Sequence, residues 1–338
     1  LIKTMEAIGN EVGAMQEAGI AEIEDTYSNL TNIFRRLHEL YENVNGLVFK
    51  PNHDLIYWAQ THANGRRLSL QAAPLHIGPL MEKYIWHEKS AAILTSATLT
   101  TNNDFEYMRS RLFAVDADPI AVGSPFDFES QAMLYLINNI PEPGDRRGHQ
   151  RAVEQGLISL CRATGGRTLA LFTSYAQLQT TARAIAAPLS EDGIVLYVQG
   201  SGASPHTLVE NFKTTEQAVL LGTRSFWEGV DIPGEALSAL AIIKIPFDVP
   251  SDPVIAARSE TFENAFQEYS LPEAILKFRQ GFGRLIRTKS DRGVVVVFDR
   301  RVLTKRYGRA FIESLPPCTV RVNSLQDLAR ETAEWLNL

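Results

Sequence analysis

The sequence contains little cysteine, with only Cys161 and Cys318 among 338 residues. Two thiols so far apart build neither a four-cysteine metal site nor a disulfide framework, so we expect a reducing, cytoplasmic setting. No apolar run reaches the length of about 18 residues that a membrane-spanning helix needs. Residues 1–6 lack the pattern of a secretory signal and include no initiator methionine at position 1. We therefore interpret the chain as a piece of a longer protein.

The chain also lacks an excess of positive charge, since 33 lysines and arginines face 39 aspartates and glutamates. Nucleic-acid-binding domains are more often basic, although local patches matter more than the total charge. Several arginine-rich clusters offer such patches, and each has the alternative interpretation of a solvated surface. They are Arg35-Arg36, Arg66-Arg67, Arg146-Arg147, Arg300-Arg301 and the group of Lys305, Arg306 and Arg309.

Apolar residues recur every three to four positions over residues 24–45, which predicts an amphipathic helix. Residues 1–19 have the same period, interrupted by glycines. Short runs rich in β-branched and aromatic residues then predict small strands around a turn at Asn64-Gly65. These strands are predicted at residues 47–49, 55–58 and 68–70.

Short, wholly apolar runs follow, which is the pattern of strands buried on both faces of a parallel sheet. Helical segments lie between them, so we predict an α/β fold in which helices flank a parallel sheet. We place the main domain boundary near residues 123–125. The strands are predicted at residues 91–94, 169–172, 194–198, 218–221 and 294–298, with a sixth between 236 and 245.

Ligands bind beyond the carboxyl ends of the strands in open parallel sheets, so the residues that follow each run are candidates. The strongest candidate is Gln-Gly-Phe-Gly-Arg-Leu-Ile-Arg at residues 280–287. Continuous helix would place Gln280, Arg284 and Arg287 on one face, which suits a polyanion. The two glycines in that helix indicate the close approach of another surface. The alternative is a surface helix with solvated arginines and a frayed end.

The second candidate is the loop of residues 222–234, which follows the run ending at Leu221. Its hydroxyls and amides can hold phosphates, its adjacent rings Phe226 and Trp227 can stack on bases, and its carboxylates can hold a ribose or orient a cation. The alternative is that both rings are core residues and that Asp231 starts a turn.

Two further hydroxyl-rich segments follow predicted strands. Residues 95–101 come after the first apolar run, and Phe172-Thr173-Ser174-Tyr175 stands at the end of another. Each has the alternative role of capping a following helix, from residues 102–104 in the first case and from Thr173 or Ser174 in the second.

Taken in order, these four segments resemble the motifs of superfamily 2 helicases, most closely those of the XPD/DinG family. Residues 96–99 resemble motif III, residues 172–175 motif IV, residues 222–235 motif V and residues 280–287 motif VI. The resemblance is good over residues 91–299 and loose over residues 1–90. It implies a helical arch remnant at residues 1–45, part of the first helicase domain at 46–124 and a RecA-like second helicase domain at 125–338.

In such helicases two RecA-like domains clamp one ATP, and the resemblance implies which residues touch it. Arg287 would be the arginine finger that stabilises charge on the transferred phosphoryl group, Arg284 would reach the phosphates, and Gln280 would place the phosphates or the attacking water. Ser96 and Thr98 would couple hydrolysis to domain movement. The nucleotide cleft would also be lined by Glu228, Gly229, Asp231 and Gly283. The nucleic-acid track would comprise Thr173, Ser174, Tyr175, Thr223, Ser225, Phe226 and Trp227.

The resemblance implies ATP and Mg²⁺ as cofactors and single-stranded DNA, or DNA with a single-stranded tail, as the partner of a monomer that moves 5′ to 3′. The sequence has no Gly-Lys pair for a phosphate-binding loop and no Asp-Glu-x-His run to hold magnesium. We expect both upstream of these residues, together with any iron–sulfur cluster. The chain alone is therefore expected neither to hydrolyse ATP nor to unwind DNA.

Two other functions fit parts of the sequence. A helicase relative that has lost turnover would serve as a nucleic-acid-binding module. The parallel sheet and Gly200-Ser201-Gly202 also fit a dinucleotide oxidoreductase, but this segment lacks the third glycine of the dinucleotide fingerprint. Protection against unfolding by an ATP analogue rather than by NAD would separate the two enzyme classes.

Overall fold

The computed structural model describes residues 2–17, 24–61, 67–101, 104–227, 232 and 234–338. The chain divides into two compact units, one of Leu1–Ile77 with Ser251–Arg258 and the other of Gly78–Pro250 with Ser259–Leu338. This division does not coincide with the boundaries predicted after residues 45 and 124. None of the helices in the described part of the chain combines the length and apolar character that crossing a bilayer requires.

The described part of the first unit contains two long helices, an antiparallel pair of strands and most of a short helix at Pro253–Ser259. The helices α1 (Ile2–Glu17) and α2 (Glu24–Val48) confirm the predicted helical segments. The strand β1 (Leu55–Thr61) pairs antiparallel with β2 (Leu68–Pro74), which confirms the small β structure. The strand predicted at residues 47–49 is wrong, because α2 continues through Val48. The turn predicted at Asn64-Gly65 lies outside the described residues.

The second unit is organised around a seven-stranded sheet in which every pairing is parallel. Its strands are β3 (Ala132–Ile137), β4 (Thr168–Leu171), β5 (Val195–Val198), β6 (Ala218–Gly222), β7 (Ala239–Ile242), β8 (Gly293–Val297) and β9 (Thr319–Asn323). They stand in the order β5-β6-β4-β7-β8-β3-β9. The apolar runs predicted from residue 169 onward are confirmed as strands, and β3 and β9 are additional.

Helices cover both faces of this sheet. In the described part of the whole chain, the α-helices after α2 are α3 (Gly78–Met81), α4 (Glu106–Leu112), α5 (Phe128–Gln131), α6 (Arg146–Ala163), α7 (Tyr175–Glu191), α8 (Pro205–Thr214), α9 (Arg224–Trp227), α10 (Pro253–Ser259), α11 (Leu271–Phe282), α12 (Arg301–Thr304), α13 (Gly308–Glu313) and α14 (Leu328–Leu336). Shorter turns are π-helical at Glu82–Trp86 and Phe266–Ser270 and 3-10 helical at Gly234–Ala236.

Two hydrophobic cores, one on each face, hold these layers together. Successive strand residues point to opposite faces, so Leu134 of β3 enters the core with Phe278 of α11, whereas Tyr135 enters the core with Val153 of α6. Because both faces are covered, the strands need apolar side chains at every position, and all six residues of β3 are buried.

The strand predicted at residues 91–94 is wrong. This segment has no regular structure, and Ile93 is 91% exposed. A strand needs a neighbour to accept its hydrogen bonds, and no strand in the described ranges pairs with this run. The apolar residues Ile120 and Val122 are likewise exposed, at 78% and 86%. An apolar run therefore becomes a buried strand only where a sheet edge is available to it.

The parallel sheet brings three loops together at the carboxyl ends of its strands. Because β5, β6 and β4 are neighbours and run in the same direction, the residues that follow them meet at their carboxyl ends. These are Gln199 after β5, Thr223 after β6 and Thr173 after β4. The edge therefore gathers the predicted motif IV and motif V segments.

Candidate functional site

The predicted phosphate-binding segment leaves its helix part-way along. The helix α11 ends at Phe282, and Gly283 caps it at φ −66°. Arg284 and Arg287 consequently lie in the loop between α11 and β8. The prediction that they share one helical face with Gln280 is wrong.

The side chains between the two arginines give the physical reason for this turn. Leu285 and Ile286 are each only 2% exposed and belong to the hydrophobic core on the α11 face of the sheet. Glycines at two of the preceding positions weaken the end of the helix by about 1 kcal/mol each relative to alanine. The chain therefore turns inward to bury an apolar pair rather than continuing as a surface helix.

Gly281 lies against the Trp227 ring, which confirms that another surface approaches this segment closely. A methyl group on Gly281 would lie 2.9 and 3.0 Å from two ring atoms of Trp227, closer than side chains pack. Gly283 has no such neighbour, because the nearest atom to its added methyl is the Arg279 carbonyl oxygen at 3.4 Å. Only the first of the two glycines is thus required by packing.

Both arginine-bearing positions are anchored by main-chain contacts. Arg284 donates from Nε and Nη2 to the carbonyl oxygen of Trp227, at 3.2 and 3.1 Å. The carboxylate of Asp291, which is 7% exposed, accepts the backbone N–H groups of Arg287 at 2.7 Å and Thr288 at 2.8 Å. A buried carboxylate that accepts several N–H groups fixes the loop around it. Asp291 therefore fixes the main chain of Arg287, whose side chain is half-buried.

The segment that resembles motif III lies against the end of α11. Arg279 donates from Nη1 to the carbonyl and, at 2.8 Å, to the hydroxyl of Thr100, and from Nη2 to the carbonyl of Ala97 at 3.4 Å. Beside it, Nε2 of Gln280 lies 3.5 Å from the hydroxyl of Thr98. Burial lowers the pKa of Arg279, and the hydrogen bonds described above join its guanidinium group to neutral oxygens. Two residues predicted to act in hydrolysis and coupling, Gln280 and Thr98, are therefore neighbours.

Ser96 shapes the same segment from within. Its Oγ accepts the backbone N–H of Thr98 at 3.1 Å and lies 3.3 Å from the Thr98 hydroxyl. Of the residues predicted to cap the following helix, Asn102 and Asn103 lie outside the described residues. Asp104 accepts the N–H of Glu106 at 3.0 Å, although the N-cap position is Phe105, which makes no side-chain capping bond.

Motif IV presents an exposed face at the end of β4. Ser174 caps α7 by accepting the N–H of Gln177 at 3.3 Å, as its alternative interpretation predicts. Thr173 and Tyr175 on either side of it are exposed, and Tyr175 is 49% accessible. The cap leaves Thr173 and Tyr175 as the accessible side chains of this segment.

Motif V begins with a hydrogen-bonded cluster that the sequence did not predict. Gln199 accepts, through Oε1, the backbone N–H of Thr223 at 2.6 Å and the Thr223 hydroxyl at 2.8 Å. Its Nε2 donates to the hydroxyl of Ser225 at 3.1 Å. Gln199 was not among the candidates because its partners lie on another loop, although its place directly after the strand predicted at residues 194–198 is the usual signal.

The two aromatic residues of motif V are core residues, which corrects the prediction that they stack on bases. Phe226 is 0% and Trp227 is 3% exposed, and both belong to the core that also contains Phe278. The Trp227 ring packs against Gly281, and its Nε1 donates to the carbonyl of Phe172 at 3.3 Å. A ring covered in this way offers no face to a base. Of the other residues predicted in this loop, Glu228, Gly229 and Asp231 lie outside the described residues.

Residues 157–318 match the family described as Helicase C-terminal domain, and this match contains the segments that resemble motifs IV, V and VI. The chain is 35% identical over 296 residues to the "3'-5' exonuclease DinG" of Bacillus subtilis, covering 84% of this chain and 32% of that protein. It is 35% identical over 321 residues to the "ATP-dependent helicase DinG" of Mycobacterium tuberculosis, covering 92% of this chain and 46% of that protein. The chain belongs to the DinG/XPD-like helicase family.

Another DinG-like relative is the "ATP-dependent DNA helicase YoaA" of Escherichia coli, 35% identical over 265 residues that cover 77% of this chain and 41% of that protein. The chain thus spans between a third and a half of the length of these relatives. Among solved structures, S. tokodaii Xpd4 gives a TM-score of 0.40 at 12% identity, covering 95% of this chain and 71% of that one. Membership of the DinG/XPD-like family and the parallel sheet together confirm the predicted family and RecA-like fold.

Proposed function

We propose that this chain provides the second motor domain of an ATP-dependent DNA helicase, with Arg287 as the arginine finger. The observation that carries the proposal is the loop after α11, in which Asp291 fixes the main chain of Arg287 and the Trp227 carbonyl holds Arg284. Guanidinium groups stay charged and donate in a planar fork that suits phosphate oxygens. An arginine finger stabilises charge on the transferred phosphoryl group by about 10³-fold or more in rate.

Gln280 and the motif III segment would connect hydrolysis to movement. The contact between Gln280 and Thr98 supports this role. A shift of the Gln280 amide on nucleotide binding would displace Thr98 and, through the hydrogen bond of Thr98 to Ser96, the motif III segment. The nucleotide-binding roles of Glu228, Gly229, Asp231 and Gly283 stay predictions.

The strand-binding surface would consist of the exposed side chains at the carboxyl ends of β4 and β6. Thr173, Tyr175 and Ser225 are all exposed there. Hydroxyls suit phosphate oxygens, and a tyrosine ring suits a base. The relative YoaA is named a DNA helicase, which supports DNA as the partner. A single-stranded partner, a monomeric state and 5′-to-3′ movement stay predictions from the resemblance.

ATP would bind together with Mg²⁺. In the described ranges no three aspartate, glutamate, histidine or cysteine residues gather into a metal site. The resemblance implies that the other motor domain mainly holds the ion, and we derive no step through it. The arginines of this chain would bind the phosphates and neutralise their charge.

The test compares the isolated 338-residue chain with the complete gene product. DNA-stimulated phosphate release and unwinding of a duplex with a single-stranded 5′ tail are measured for both. We expect activity from the complete product and none from the isolated chain. A non-catalytic binding module would bind DNA without phosphate release in either form. DNA-stimulated hydrolysis by the isolated chain would contradict the proposed division of roles.

A further inference from the structure

Gln199 lies where the loops after β5 and β6 meet, and it contacts Thr223 and Ser225, two of the hydroxyl residues predicted to lie along the nucleic-acid track. The residue is half-buried, and its own carbonyl oxygen accepts from Gln179 of α7 at 3.3 Å. Its side chain then spans the gap to Thr223 and Ser225. Because main chain and side chain are both held, the amide has a defined orientation.

The orientation of that amide follows from chemistry. The backbone N–H of Thr223 can only donate, so the Gln199 atom 2.6 Å from it must be the carbonyl oxygen Oε1. The opposite assignment would place two donors against each other. Nε2 therefore faces Ser225.

The two hydroxyls consequently have opposite roles. Oε1 carries no hydrogen, so the Thr223 hydroxyl, 2.8 Å away, must donate its only proton to it. Nε2 is a donor, so the Ser225 hydroxyl must accept, and its own proton stays available. The described residues offer that proton no acceptor, and Ser225 is exposed.

A phosphodiester oxygen carries no proton at neutral pH and binds only donors. We propose that Gln199 is a positioning residue that makes Ser225 the hydroxyl that donates to the nucleic-acid backbone and reserves Thr223 for an internal bond. This inference rests on the proposed strand-binding role of the surface, and it replaces the prediction that both hydroxyls bind phosphate.

The residue after Gln199, Gly200, places the exposed Tyr175 ring beside the same surface. Gly200 has φ +88°, and a methyl group there would overlap the hydroxyl of Tyr175. The exposed Tyr175 ring therefore lies directly against the residue that follows Gln199. A ring suited to a base and a hydroxyl suited to a phosphate thus occur on two sides of one turn.

The experiment measures the affinity of the complete gene product for fluorescein-labelled oligo-dT by anisotropy, without nucleotide and at one fixed salt concentration. We expect Ser225→Ala to weaken binding about tenfold, the size of one hydrogen bond to a charged group. Ser225→Thr, which keeps the hydroxyl, should restore most of that loss. Thr223→Val keeps the shape and the backbone N–H, and should change the affinity less than about twofold.

Gln199→Glu separates positioning from simple packing. The carboxylate can still accept from Thr223 but has no N–H for Ser225, so the Ser225 proton would turn toward it. Adding Ser225→Ala to Gln199→Glu should then cost no further affinity, whatever the new charge itself does to binding. A tenfold loss from Ser225→Ala in both backgrounds, or a Thr223→Val loss as large as that of Ser225→Ala, would overturn the inference.

Two outcomes distinguish this inference from the proposed function. If the unaltered protein shows DNA-stimulated ATP hydrolysis but Ser225→Ala binds oligo-dT normally, only the assignment of Ser225 fails. If the unaltered protein neither binds oligo-dT nor hydrolyses ATP, the proposed function and the inference fail together. Equal thermal unfolding midpoints for the variants ensure that affinity, not folding, is compared.

Discussion

The arginine side and the hydroxyl side of the candidate site are built differently. On the arginine side, main-chain atoms of Trp227 and Arg287 fix the loop through contacts with Arg284 and Asp291. On the hydroxyl side, one neutral amide, that of Gln199, orients the polar groups. The difference teaches that the loop before β8 is ordered by main-chain atoms and a carboxylate, whereas the loops after β5 and β6 are ordered by a neutral amide. This difference fits the proposed use of charge for a phosphoryl group and of oriented donors for a strand.

The short helix α9 joins the two sides. Ser225 and Trp227 are two residues apart, one facing Gln199 and the other contacting the arginine loop. Trp227 also donates to the carbonyl of Phe172, the first residue of the segment that resembles motif IV. The buried ring thus makes a structural connection between the sides, in place of the base-stacking role predicted for it.

The largest expected effect comes from removing the proposed arginine finger. Arg287→Ala should lower kcat for DNA-stimulated ATP hydrolysis by about 10³-fold, because the developing charge loses its guanidinium. Arg183→Ala, on the exposed surface of α7, is the matched control and should leave kcat unchanged. Equal losses in both variants would mean that general positive charge, not this loop, supports hydrolysis.

The next effect tests the packing that joins the sides. Gly281→Ala places a methyl group 2.9 Å from Trp227 and should lower the free energy of unfolding by about 1–3 kcal/mol. Gly283→Ala meets only ordinary contacts at a helical φ and should change stability by less than about 1 kcal/mol. Urea denaturation measures both. Equal destabilisation would contradict the special role of the Trp227 contact.

A smaller effect is expected from the anchor of the arginine loop. Asp291→Asn replaces one acceptor oxygen by a donor and should lower kcat by about tenfold, the cost of a disturbed charge-assisted hydrogen bond. The affinity for oligo-dT should stay the same, since the hydrogen bonds of Asp291 to described residues join it to its own loop and to Gln131. Loss of DNA affinity together with kcat would show that the two sides are not separate.

The smallest effect is a pH dependence of the free energy of unfolding, which we expect from His149. Burial lowers the pKa of His149, which contacts the Phe298 carbonyl at 2.9 Å and Gln177 of α7 at 3.5 Å. The folded state therefore favours the neutral ring. The contribution of His149 to the free energy of unfolding is present above the unfolded pKa of about 6.5 and is lost as the pH falls below that value. The slope should not exceed about 1.4 kcal/mol per pH unit. His149→Gln should flatten this part of the stability curve measured by urea denaturation.

Much of the fold was predictable because burial on both sheet faces leaves a readable signature. The runs that became β6 and β8 are apolar throughout, and the sheet confirms them. The strand β3 has the same signature and was missed, whereas β9 is largely exposed and gives little signal. Residues 91–94 show the limit, since their composition resembles that of β6 but no described strand pairs with them.

The candidate site was predictable in its motifs but not in its geometry. Local spacing placed Arg284 and Arg287 on a helix, because periodicity cannot reveal that the core captures the two residues between them. Gln199 and Asp291 act through contacts that only the fold creates, so their partners do not follow from local spacing. Burial likewise decided between the two interpretations of Trp227.

The most direct test of the two-sided site is the DNA affinity of the Arg287→Ala variant in the complete gene product. Anisotropy with labelled oligo-dT, without nucleotide, gives Kd on the same preparation whose ATP hydrolysis has been measured. We predict a Kd within about twofold of the unaltered protein despite the roughly 10³-fold loss of kcat. A Kd that weakens in parallel with hydrolysis would contradict the assignment of the arginine loop to the nucleotide alone.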